Sequence, residues 1–238
     1  MKNLRGKWVV ITGAGSGIGR ALAIEFGQRG ACLALCDVNK DGLAETVQTV
    51  SKTTQVISER VDVSQEQEVY KFAKLVQDRC GGADVVINNA GVSLTQVVEK
   101  MSKADLEWVF GVNFWGVVHG CSAFLPQLLL KPEAHIVNIS SLFGLIPMPA
   151  NAAYVASKFA VRGYTETLRI ELANTSVGVS CVHPGGVKTG IVRNGRHHAT
   201  SMTGQDVGRM VSDFDKIAMS TPTAAARTII RGVLKNNP

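Results

Sequence analysis

The chain has 238 residues, 45% of them apolar, and a formal charge of +6 from 25 basic and 19 acidic side chains. That length and apolar share supply one ample core and exclude a disordered chain. The basic residues are scattered, dense only at Arg193, Arg196, His197 and His198, which argues against a nucleic-acid surface and leaves a surplus suited to anionic cofactors.

The first predicted element is a buried strand in the apolar run ending at Thr12. It leads at once into Gly13-Ala14-Gly15-Ser16-Gly17-Ile18-Gly19 and an apolar-periodic helix. Strand, glycine turn and helix form a phosphate-cradling layout. The dinucleotide fingerprint G-x-G-x-x-G fails, because Ile18 stands where its third glycine belongs; T-G-x-x-x-G-x-G fits through Thr12, Gly13, Gly17 and Gly19. The next run, Ala31 to Cys36, ends in Asp37, eighteen residues past Gly19. A carboxylate there binds adenosine ribose hydroxyls and repels a 2′-phosphate, which predicts NAD in preference to NADP. Alternatively, Asp37 caps a helix starting near Lys40, and Arg20 or Lys40 reaches a 2′-phosphate. Apolar runs of strand length recur near residues 7, 31, 55, 84, 134 and 177, separated by helix-length segments. This predicts an α/β fold with a parallel sheet covered on both faces, in a single domain over 1–238.

Further along, Tyr154 and Lys158 stand four residues apart on a predicted helix, thirteen and seventeen residues after Ser141. Positions i and i+4 share a helix face, so phenol and ammonium point into one space. A tyrosine with a pKa near ~10 is protonated at neutral pH, and a neighbouring cation pulls it toward the range a general acid/base needs. Ser141 can hold a substrate oxygen while Tyr154 moves the proton.

Together, Thr12-Gly-x-x-x-Gly17-x-Gly19, Asp62-Val63, Asn88-Asn89-Ala90-Gly91, Asn113, Ser141, Tyr154-x-x-x-Lys158 and Pro184-Gly185 with Thr189 make the chain similar to the short-chain dehydrogenase/reductase family over nearly its whole length. The resemblance implies a single-domain, Rossmann-like, doubly wound sheet that moves a hydride between a nicotinamide and an alcohol or carbonyl carbon. It implies that Gly13, Ser16, Gly17, Ile18 and Gly19 bind the cofactor with Asp37, that Asp62 and Val63 close the adenine pocket, and that Asn89, Ala90 and Gly91 lie beside the cofactor. Asn113 is expected to position a water that links Lys158 to solvent. Lys158 is expected to bind the nicotinamide ribose and lower the Tyr154 pKa, and Pro184, Gly185, Val187 and Thr189 to hold the carboxamide. A substrate lid is expected at about 190–221, with Met202, Met210, Phe214 and Met219 as its large apolar groups and Gly195 and Gly204 as hinges. The family would place a seventh strand after the helix at about 223–234, so either that edge strand is missing or the natural protein is longer.

The expected substrate is a small, uncharged, moderately hydrophobic alcohol or ketone, unless Arg193 and Arg196 turn inward to meet an anion. A homodimer or homotetramer is expected, through the helices holding Asn113 and Tyr154. The five cysteines form no C-x-x-C pair and read as buried, reduced thiols of a cytoplasmic protein. No apolar run approaches a membrane span, and no metal site is expected at His197-His198, whose adjacent side chains diverge. The alternative function is a non-catalytic, NAD(H)-sensing regulator, which has little need for Asn113, Ser141, Tyr154 and Lys158 together.

Overall fold

The computed structural model describes residues 1–197, 212, 216 and 218–236. Six apolar runs become parallel strands: β1 (Trp8–Thr12), β2 (Cys32–Asp37), β3 (Val56–Arg60), β4 (Val85–Asn88), β6 (Ala134–Ile139) and β7 (Val177–Val182). They lie in the order β3-β2-β1-β4-β6-β7. The order reverses between β1 and β4, where Val9 to Ile11 pair with Val85 to Ile87, and the crevice beyond the strands' carboxyl ends opens at that switch point. Two short strands, β5 (Leu94–Thr95) and β8 (Arg196–His197), form a separate parallel pair.

The helices are α1 (Gly17–Gln28), α2 (Lys40–Val50), α3 (Glu66–Cys80), α4 (Lys103–Phe110), α5 (Gly116–Leu129), α6 (Ala152–Glu171) and α7 (Pro222–Lys235). Successive strand residues point to opposite faces, so each face has its own core. Val10, Ala34, Val86 and Ile136 pack with Phe72, Phe124 and Val161 from α3, α5 and α6. Val9, Ile11, Leu33 and Ile87 pack with Phe26, Leu43 and Ile230 from α1, α2 and α7. This is the doubly wound arrangement expected. At about 25 cal/mol per Å², burying each large apolar side chain is worth roughly 1.5–3 kcal/mol, which is why continuous apolar runs rather than alternating ones make these strands.

Two expectations change. A π-helical turn, Gly111–Trp115, joins α4 to α5 into one continuous helix from Lys103 to Leu129, 27 residues long with a mean hydropathy of 1.3 in its most apolar window. By length and composition that helix could cross a membrane, which the sequence reading missed because no uninterrupted apolar run marks it. Its apolar stripe is accounted for by Val117, Cys121, Phe124 and Leu128, all buried in the core. All five cysteines are free, but only Cys36 and Cys121 are buried; Cys32, Cys80 and Cys181 are partly exposed. Of the expected lid, Met202, Gly204, Met210 and Phe214 lie outside the described residues, and Met219 is exposed.

Candidate active site

β1 ends at the switch point, where Thr12 turns the chain into the glycine loop. Thr12 Oγ1 accepts from the Asn89 and Ala90 amides, each at 3.0 Å, and Asn89 Nδ2 donates to the carbonyls of Thr12 and Gly13 at 2.8 and 3.2 Å. The Asn89 side chain is thereby committed to the turn, so this loop meets the crevice through its backbone. Gly13 is left-handed at φ +65°, and a Cβ there would lie 2.8 Å from Ala90 Cα, a contact only glycine avoids. Gly17, at φ +53°, starts α1; Ser16 precedes it without a side-chain capping bond, and no acidic residue stands in the first turn. The uncapped amides and the positive end of the helix dipole make a seat for a pyrophosphate. The loop after β7 closes over this seat, for a Cβ on Gly17 would touch Thr189 Cγ2 at 3.3 Å.

At the end of β2, Asp37 Oδ2 accepts from the Gly15 amide and Oδ1 from the Asn39 amide, both at 2.8 Å. Asn39, not Asp37, caps α2, its Oδ1 accepting from the Asp41 and Gly42 amides. Asp37 therefore stands against the glycine turn, as a ribose-binding carboxylate must. Arg20 bridges the glycine turn and α2, bonding Gly15 O at 2.5 Å, Gly42 O at 3.1 Å, Glu45 at 2.8 Å and Thr46 Oγ1 at 3.0 Å. Beyond β3, Asp62 Oδ1 accepts from the Ser64 amide and hydroxyl at 3.0 and 2.7 Å, and buried Val63 packs against Gly116 of α5. Past β7, Leu142 N donates to Pro184 O at 2.8 Å, while Val187 is buried and bridged to Ser220. Gly185 lies between these two anchors.

Asn113 sits on the π-turn, whose wider coil carries one extra residue and re-aims the side chain. Fully buried, it accepts at Oδ1 from Val92 N (2.8 Å) and donates through Nδ2 to Val92 O (3.0 Å) and Ser157 Oγ (3.1 Å). Ser157 in turn donates to Tyr154 O at 2.7 Å. Asn113 Oδ1 and Lys158 Nζ converge on Gly91, where a Cβ would lie 3.4 and 3.5 Å from them. Sequence reasoning missed Ser157, Ser140, which donates to Lys158 O at 2.8 Å, and His183, whose Nδ1 lies 3.0 Å from Ser141 O. Their only trace in the sequence is adjacency to residues already named.

The Ser141 side chain stands close enough to the Tyr154 phenol to oppose the upward shift of its pKa, and the Phe143 ring stands edge-on to Tyr154 at 6.4 Å. Lys158 is buried, its Nζ donating to Ile139 O at 2.9 Å and lying 5.7 Å from the Tyr154 ring centroid. Burial lowers the Lys158 pKa to about 8. Without a cofactor, burial raises the Tyr154 pKa, opposed by the Ser141 side chain. The Lys158 ammonium donates to a backbone carbonyl of β6 and lies over the Tyr154 ring.

Three groups able to hold and move a proton thus lie together at the carboxyl end of the sheet, on the same side as the glycine turn. The family model described as short chain dehydrogenase matches residues 7–200. SadH of Mycobacterium tuberculosis is 48% identical over 239 aligned positions, covering 99% of this chain and 85% of that protein. A short chain dehydrogenase/reductase from Burkholderia phymatum, solved in complex with NAD, has a TM-score of 0.92 at 36% identity, covering 99% of this chain and 88% of that one. An alcohol dehydrogenase from the archaeon Thermococcus sibiricus, complexed with 5-hydroxy-NADP, has a TM-score of 0.83 at 27% identity, with coverages of 98% and 92%. The chain belongs to the short-chain dehydrogenase/reductase family, oxidoreductases that use NAD or NADP.

Proposed function

We propose that the protein interconverts an alcohol and a ketone or aldehyde, with Tyr154 as general acid/base. The proximity of Tyr154, Lys158 and Ser141 carries this reading. The glycine turn from Gly13 to Gly19, with Asp37, Asp62, Val63, Ala90, Gly91 and the segment from Pro184 to Thr189, would hold the dinucleotide. When bound, its nicotinamide supplies or accepts the hydride. Ser141 holds the substrate oxygen, and Tyr154 donates its proton as the carbonyl is reduced or takes it from the alcohol in oxidation. Lys158 replenishes charge beside the phenol, and the Asn113–Ser157 bonds hold the Tyr154 helix at its distance from the Val92 loop.

The Asp37 carboxylate at the Gly15 turn supports NAD over NADP. Leu142, Leu145, Ile146 and Met148, between Ser141 and α6, are 40–47% exposed and support an uncharged, moderately hydrophobic substrate. A screen of alcohols and ketones, followed at the reduced-nicotinamide absorbance with NADH and NADPH side by side, is expected to show turnover with the lower KM for NADH. Cofactor binding without turnover of any carbonyl or alcohol would overturn the catalytic reading, and an NADPH preference the role of Asp37.

A homodimer fits the helices that hold Asn113 and Tyr154, which leave Leu106, Trp115 and Phe159 exposed at 39, 51 and 40%. Light scattering is expected to give at least twice the chain mass, and a strict monomer refutes this assembly. The free cysteines support a reducing, cytoplasmic location.

A further inference from the structure

The segment that follows the β7 loop, Gly190 to His197, does not simply pass over the surface. It is pinned to the segment after β4 at three points. Ser93 Oγ donates to Ile191 O at 2.7 Å, the Arg196 amide donates to Ser93 O at 3.0 Å, and β5 pairs with β8 through Leu94–Arg196 and Thr95–His197. Gly195 permits the approach, because a Cβ there would collide with the Ser93 side chain and crowd its carbonyl. The Arg196 side chain adds a fourth point: its guanidinium carbon lies 3.8 Å from the Trp108 ring centroid, and Nη1 lies 3.7 Å from Asp105 Oδ1.

Trp108 is not an isolated perch. With Met101 it packs on a small separate core of Leu94, Val109 and Ala153. Ala153 immediately precedes Tyr154, and Asn151, just before α6, bridges to Gln96, two residues past Leu94. The Val92–Val97 segment is therefore shared. One end holds Asn113 through both backbone groups of Val92, the middle holds β8, and the far end holds the start of the Tyr154 helix. An arginine stacked on an indole is a planar contact that lysine cannot reproduce.

We propose that Arg196 is a positioning residue for the substrate side of the active site, clamping the Gly190–His197 segment through Trp108 to the small core under Tyr154. The proposal rests on the reading of Tyr154 as the acid/base, but the clamp itself is testable without any substrate.

The test compares Arg196→Ala and Arg196→Lys with wild type by hydrogen–deuterium exchange on the full chain, and by steady-state kinetics on a carbonyl found in the screen. In Arg196→Ala, exchange at Leu94–Gln96 and Gly195–His197 is expected to rise about three- to tenfold, with the β6 and α5 amides unchanged. KM for the carbonyl is expected to rise about three- to tenfold, with KM for NADH within roughly twofold of wild type. Arg196→Lys keeps the charge but loses the stack, and should fall close to Ala. Wild-type exchange in the Ala variant, or raised exchange with an unchanged carbonyl KM, overturns the proposal, as does full rescue by Lys. If no carbonyl is turned over by wild type, the reaction-class reading fails, and the exchange comparison alone still decides whether the clamp exists.

Discussion

Tyr154→Phe is expected to lower turnover by on the order of 10²–10⁴-fold while leaving KM for NADH within about twofold, because general acid/base transfer typically contributes that much. The substitution removes one oxygen and keeps the ring, so the edge-on contact with Phe143 survives. The Ser141 hydroxyl still accepts from the Phe143 amide at 3.1 Å and so stays in place. A loss confined to kcat isolates proton transfer from positioning. The wild-type pH profile carries a further expectation. Burial raises the phenol's pKa in the protein without cofactor, so the phenolate needed to take a proton from an alcohol is scarce at neutral pH, and oxidation should gain rate as pH rises toward the phenol's titration. Reduction, which uses the protonated phenol, should be favoured on the acidic side. Near-normal turnover by the Phe variant would sink the role of Tyr154 and leave Ser141 or water as the proton source.

Lys158→Met is expected to cost at least about 100-fold in turnover without loss of thermal stability in the cofactor-free protein. The two halves of this prediction have one cause. Burial lowers the Lys158 pKa from 10.5 to about 8, so the folded state holds the charged ammonium at a cost on the order of 3 kcal/mol at pH 7. The folded pKa is below the unfolded one. The cost is therefore constant below about pH 8, and it is relieved between there and about pH 10.5, where the unfolded chain binds more protons and stability from this group rises with pH. Methionine removes the charge, keeps much of the stem's packing, and leaves Ile139 O without its donor, a loss of about 1–3 kcal/mol. The net effect at pH 7 is a variant as stable as wild type or more so. Its stability should lose the wild-type rise between pH 8 and 10.5, read as melting temperature against pH. A melting temperature several degrees lower at pH 7 would show that the bond to Ile139 outweighs the charge, and that Lys158 is kept for folding. A residue that weakens the fold and is essential to turnover is instead the signature of a functional site.

Much of this was legible before any coordinates. The six strands begin within a few residues of the apolar runs that announce them; the inner strands are apolar because both their faces are buried, while β3, at the sheet edge, is half-exposed and announced only by Val56 and Ile57. α2 begins at Lys40 and α7 at Pro222, close to where the sequence reading started them, since Asn39, Thr221 and Pro222 are strong start signals. The π-turn at Gly111–Trp115 left no such trace. Its composition matches the helices on either side, and the extra residue is stabilised only by what Asn113 finds around it: Val92 and Ser157, 21 and 44 residues away in the chain.

What the sequence by itself determined is the chemistry available: a phenol and an ammonium on one helix face, a serine to meet an oxygen, a glycine turn for a phosphate and an acid for a ribose. These follow from local rules, the period of a helix and the sterics of glycine, which operate over a few residues. What only the tertiary structure decided is how each group is biased. Asn89 is spent on the β1 turn, Asp37 rather than a cap role holds Gly15, Lys158 points to a carbonyl of β6, and the Tyr154 pKa rises where the helix spacing alone would have it fall. Burial and long-range hydrogen bonds set these outcomes. Both depend on residues brought together from distant parts of the chain, a distance no local pattern encodes.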